Sequence, residues 1–153
     1  MKNIPVYLFL IYLLMSISCG RKKGKPNSIT TISASNEISG YEIPSAIMER
    51  GLKVYKSHCF ACHMLSGNGV KGIYPPLTEN NTVTGDKSVL IGIILNGMSG
   101  EIVEKGEKFN QVMIPHDFLT NNQIADVLTY IRNSFGNQAE AVSSDEVKVN
   151  RKR

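Results

Sequence analysis

The sequence predicts an all-α fold of three main helices over residues 45–136. Three observations lead there. Ile47, Gly51, Val54 and Tyr55 fall at i, i+4, i+7 and i+8, one stripe of a helix. Val89 to Leu95 is apolar nearly all round, as in a buried helix. Ile124, Val127, Leu128 and Ile131 keep helical spacing behind a capping-box pair, Thr120 and Gln123. Strand signals are few, and the chain has no internal repeat.

Taken in order, residues 1–18 read as a signal peptide. Lys2 is their single charge, and the apolar part, Val6 to Ile17, is short for a membrane span. Ser18-Cys19-Gly20 looks like a lipoprotein processing site, although Ser16 stands where Leu is usual. Lipidation of Cys19 is expected; a plain secretory cut and a retained anchor compete with it. All three outcomes put the domain on the periplasmic or cell-surface side of a bacterial membrane. Residues 19–44 form the anchor and a flexible linker. Gly20 to Tyr41 is too poor in apolar residues to fold alone. Such a tether has an end-to-end distance on the order of 25 Å.

Pro44 opens the first helix, which runs to about Tyr55. Gly51 inside its stripe costs roughly 1 kcal/mol against Ala, so another element is expected to press closely there. Gly67, Gly69, Gly72, Pro75 and Pro76 make residues 66–77 a loop. Asp86 or Ser88 caps the middle helix, and Asn96-Gly97 ends it. Residues 101–108 are polar and expected to be exposed. Gly136 ends the last helical run, and residues 137–153 read as a polar tail.

Charge is unevenly placed. Between Ser45 and Gly136 eight basic residues face eight acidic ones, so the domain itself is neutral. The excess lies in Arg21, Lys22, Lys23 and Lys25, and in Lys148, Arg151, Lys152 and Arg153. Nucleic-acid binding wants basic residues on a folded face, and no nucleic-acid partner is expected. A basic run beside a lipid anchor meets anionic headgroups instead.

Between the first helix and the loop stands Cys59-Phe60-Ala61-Cys62-His63. C-x-x-C-H is the attachment signature of a c-type haem. Two thiols three residues apart lie on one side of a helical turn and suit thioether bonds to two vinyl groups. His63 then reaches the iron as proximal ligand. A thiol redox pair or half a zinc site are the competing readings. A Cys-based zinc site wants four ligands, and the sequence has no second C-x-x-C; a thioredoxin-like site wants a βαβ setting, which it does not show.

A Gly-containing helix, C-x-x-C-H, a Gly/Pro loop, a buried middle helix, a Met and a final amphipathic helix together resemble the class I cytochromes c. Tyr74-Pro75-Pro76-Leu77, Leu95-Asn96-Gly97-Met98-Ser99-Gly100 and residues 123–137 (QIADVLTYIRNSFGN) sharpen the likeness. They look like the single-haem modules that accompany quinoprotein dehydrogenases, copper nitrite reductases and terminal oxidases. The resemblance implies three main helices around one covalently attached haem c. It implies that Gly51 and Tyr55 meet Leu128 and Tyr130 where the first and last helices cross. It also implies that the Pro75 carbonyl, or Pro76 one residue on, accepts a hydrogen bond from His63, and that Leu77 lies against the haem. Tyr74, Phe109 and Tyr130 read as pocket walls or as ordinary core.

The sixth iron ligand is sought after the haem motif. Met64 adjoins His63 and cannot reach the opposite face. Met98 follows the buried helix and fits as core filling. Met113 stands just before the final helix, where the family carries its axial Met, usually as Met-Pro; here Ile114 intervenes. Met113 is the expected ligand, with Met98, His58 and His116 as alternatives. The resemblance then implies a membrane-tethered one-electron carrier between redox protein partners, not an enzyme and without a small-molecule substrate. A haem-based sensor or enzyme with a displaceable Met is the alternative.

Overall fold

The computed structural model describes residues 42–152. The signal peptide, Cys19 and the linker up to Tyr41 lie outside the described residues. Among the described residues, six helices and one hairpin follow one another: α1 (Ser45–His58), α2 (Phe60–His63), α3 (Asn81–Thr84), α4 (Lys87–Asn96), β1 (Ile102–Glu104), β2 (Glu107–Phe109), α5 (Asn121–Arg132) and α6 (Ser144–Arg151). No described helix is long and apolar enough to cross a membrane. The domain is mostly helical, as expected of a class I cytochrome c fold, with one small sheet.

Helices α1 and α5 form the main contact, and Gly51 is a point of close approach within it. A Cβ there would fall on the Asp126 carbonyl oxygen and 2.5 Å from the Tyr130 Cβ. The same crossing carries a two-pronged ion pair: Arg50 Nε donates to Asp126 Oδ2 at 2.6 Å and Nη2 to Oδ1 at 3.0 Å. Tyr55, fully buried, stacks on Tyr130 and Phe135. Its hydroxyl donates to the Met64 carbonyl at 2.6 Å, tying α1 to the end of α2. Tyr130 therefore belongs to the helix crossing, and Leu128, buried in the same core as Tyr55, also lines the cavity described below.

The expected caps are present. The Asp86 side chain accepts from Ser88 N–H, and Thr120 and Gln123 exchange both bonds of a capping box. Helix α5 stops at Arg132, ahead of Gly136, in a turn where Phe135 has φ 59°. Leu90, Ile91, Ile94 and Leu95 of α4 join Ile124, Val127, Leu128 and Ile131 of α5 in one core.

Two stretches differ from expectation. The polar segment after Gly100 forms an antiparallel hairpin with Glu104 opposite Glu107. Its two-residue loop, Lys105-Gly106, has both φ positive (50° and 78°), the turn that matches strand twist. Phe109, the last residue of β2, is its buried member. Residues 137–153, expected as a polar tail, include α6 packed on α4 and α5. Two apolar residues suffice because both are buried, Val142 and Val147. Ser143 and Glu146 form a second capping box. Lys87 reaches Glu146 at 2.7 Å and Glu140 at 3.4 Å. Arg132 donates to the carbonyls of Val83, Gly85 and Glu140.

This docking is expected to weaken in acid. Partial burial opposes ionisation of Glu146, yet bonds from Lys87 and Ser143 outweigh it and hold its carboxyl below the usual range. A depressed carboxylate contributes stability above its unfolded pKa and loses it as pH falls through the folded one. Hydrogen exchange in α6 should therefore rise below the ordinary glutamate range. Glu146→Gln should flatten that dependence; an unchanged profile would show that the pair contributes nothing.

Candidate functional site

Beneath α4, α5 and the hairpin lies an apolar cavity of about 430 Å³. That is the size of a cofactor pocket. Cys59, Cys62, His63, Pro75, Leu77 and Met113 all line it. The sequence-predicted residues, dispersed over 55 positions, thus come to one place.

The haem motif sits where α1 gives way to α2. Cys59 is the junction residue, and its N–H donates to the Tyr55 carbonyl at 2.9 Å. The next turn, α2, carries Cys62 and His63 to the same wall. Burial, and then the neighbouring Cys62, push the Cys59 thiol up to about 12. A redox-active thiol needs the opposite shift, so burial disfavours a thiolate at Cys59.

His63 is oriented by its loop. Its Nδ1–H donates to the Pro75 carbonyl at 3.1 Å, which leaves Nε2 for a metal. The Pro76 carbonyl is taken by Asn80 Nδ2 at 2.9 Å. Asn137 Nδ2 holds the Leu77 carbonyl at 2.8 Å, and Leu77 N–H donates to Gly67 at 2.7 Å. Burial lowers the His63 pKa, the Pro75 bond raises it, and His116 lowers it. The net effect is downward, which favours the neutral imidazole that binds metals.

Met113 and Met98 pair through two backbone hydrogen bonds, each 2.9 Å. Residues paired across an antiparallel bridge point to the same side, and both methionines line the cavity. Met113 packs against the core together with Cys59 and Leu77. Ile114, which separates Met113 from Pro115, is 64% exposed at the cavity mouth. His58 and His116 also line the cavity, and both rings lie against Phe118. His116 is buried with Nδ1 unpartnered. Tyr74 and Phe109 stand in the cavity wall.

Sequence reasoning missed Asn80 and Asn137, which fix the carbonyls around Pro75, and Ile102 of the hairpin, which closes the cavity. The first two carry no local signal, because their partners lie 57 and 60 positions away or within a loop.

An apolar slot, two thiols on one wall, an oriented imidazole and a thioether define a covalent-haem protein; the donor set of one nitrogen and one sulfur fits a haem iron. The family model for cytochrome c matches residues 48–135. The chain belongs to the cytochrome c family. Cytochrome c-552 of Thermus thermophilus is 37% identical over 90 residues, which cover 56% of this chain and 68% of that protein. The fructose dehydrogenase cytochrome subunit of Gluconobacter japonicus is 30% identical over 132 residues, 82% of this chain and 26% of the subunit. The cytochrome c subunit of the quinone alcohol dehydrogenase of Gluconobacter oxydans is 31% identical over 102 residues, 64% of this chain and 21% of the subunit. The family's cofactor is haem c, covalently attached and containing iron, and Cys59 and Cys62 are present to hold it.

Proposed function

We propose that the chain is a one-electron carrier, tethered through lipidated Cys19 to the outer face of a bacterial membrane. When bound, the haem supplies one-electron exchange between ferric and ferrous iron. Cys59 and Cys62 would hold it by thioethers. His63 Nε2 and the Met113 sulfur would be the protein's two ligands to its iron. Pro75 fixes the imidazole plane, and Leu77 walls the pocket. With both residues on the iron, a small-molecule substrate would find no place to bind it, which supports a carrier rather than an enzyme. A thioether ligand and an apolar pocket both favour the ferrous state and raise the potential. The observation that carries this reading is the His63–Pro75 bond, set in the same apolar cavity as the Met113 thioether.

The partners are redox proteins: a dehydrogenase, a reductase or an oxidase. Val103, Val112 and Ile114 line the cavity mouth and are each more than 60% exposed. An apolar rim on a neutral domain suits brief, small contacts whose rates depend weakly on salt. Two relatives that are dehydrogenase subunits make a quinone-linked dehydrogenase one candidate donor.

The test is covalent attachment. Protein made in a host with intact cytochrome maturation and boiled in detergent should stain for peroxidase activity on a gel. It should titrate as a single one-electron couple. A colourless band at the mass of the chain would overturn the proposal.

A further inference from the structure

We infer that Arg151, at the end of α6, is a positioning residue for the loop that carries Met113. The inference rests on Met113 as an iron ligand. The loop is pinned early: Met113 pairs with Met98, and His116 N–H donates to the Ile94 carbonyl at 2.8 Å. From there to the Thr120 cap it has no helix or strand of its own. Arg151 reaches over this stretch. Its Nη1 donates to the Asp117 carbonyl at 2.7 Å, Nη2 to the Leu119 carbonyl at 2.7 Å, and Nε to Asn121 Oδ1 at 3.0 Å. One rigid guanidinium thus fixes three points along five residues, a geometry a flexible ammonium does not reproduce.

Helix α6 has anchors besides Arg151. Val142 and Val147 are buried, Lys87 pairs with Glu146, and Arg132 holds the Glu140 carbonyl. Arg151 is itself exposed, so shortening it leaves no core cavity. The cytochrome c match ends at residue 135. The whole of α6 lies beyond it, so this support belongs to the chain's own additional helix.

Methionine is a flexible side chain, and its hold on iron depends on where the loop keeps its backbone. A small population with the loop released exposes the iron to outside ligands. Arg151 lowers that population. Each lost bond of this kind is a severalfold change in a two-state equilibrium.

The experiment uses the haem-loaded full chain in the ferric state, with imidazole as the probe. Arg151→Ala should bind imidazole about fivefold faster than the unmodified protein. Its near-infrared thioether-to-iron band should weaken, with far-ultraviolet dichroism unchanged. Arg151→Lys keeps the charge and stem but cannot span the three acceptors, and should show a smaller increase; it serves if the Ala variant does not fold. Unchanged imidazole kinetics in both folded variants, or in the Lys variant alone if only it folds, would overturn the inference even if the melting temperature fell. A missing thioether band in the unmodified protein would instead overturn the Met113 assignment, and this inference with it.

Discussion

Met113→Ala is expected to lower the reduction potential by on the order of 0.1 V, within the range of about 0.8 V that axial ligands span. A thioether favours ferrous iron, and water or hydroxide in its place favours ferric. The near-infrared band should vanish, and the reduced protein should bind carbon monoxide readily. Met98→Ala is the discriminating control. Met98 and Met113 are paired backbone to backbone and line one cavity, so cavity position alone does not separate them. Met113 is the one packed against the core beside Cys59 and Leu77. Met98→Ala should therefore keep the band and the potential. The reverse pattern, with the band lost in Met98→Ala and kept in Met113→Ala, would move the ligand to Met98. Strong carbon monoxide binding by the unmodified reduced protein would favour the sensor reading.

The parts of the fold legible in the sequence are those whose cause is local. The haem motif, the Thr120–Gln123 capping box and the Asp86 cap each need only residues within one turn. Gly51 was also legible, because a glycine inside an apolar stripe implies a close neighbour, although the neighbours are Asp126 and Tyr130. Leu128, buried in the same core as Tyr55, also lines the cavity, a placement set by tertiary packing. Helix α6 was hidden for a different reason. Val142 and Val147 look isolated in a polar run and gain meaning only against α4 and α5. Yet Ser143 and Glu146 repeat the cap pattern already used at Thr120. Arg151 counts as surplus tail charge in the sequence, but in the fold its donors meet two loop carbonyls and Asn121. The hairpin offered only two three-residue strands and a Lys-Gly turn, weaker than Asn-Gly or Asp-Gly. At the site, the choice between Pro75 and Pro76 depends on Asn80, which takes the Pro76 carbonyl. Loop register of that kind is not written in the residues around His63.

Gly51→Ala is expected to destabilise the haem-loaded protein by about 2–3 kcal/mol, the upper part of the range for an overpacked core. In an open helix the same change would stabilise by up to about 1 kcal/mol. Sterics win here because the added Cβ meets the Asp126 carbonyl group and the Tyr130 Cβ, at 2.5 Å for the latter. Neither neighbour is the free end of a side chain, so relief requires α1 and α5 to separate. That separation would also stretch the Arg50–Asp126 pair and loosen the Tyr55–Tyr130 stack. Tyr55 donates to the Met64 carbonyl next to His63, so the strain would reach the haem motif. Gly92→Ala is the matched control. Gly92 lies inside α4, and a Cβ there meets nothing within 4 Å. Its variant should melt at or above the temperature of the unmodified protein. Gly51→Ala should melt about 10 °C lower, from the usual 4–8 °C per kcal/mol for a domain near this size. Equal melting temperatures for the two variants would show that α1 and α5 do not touch at Gly51.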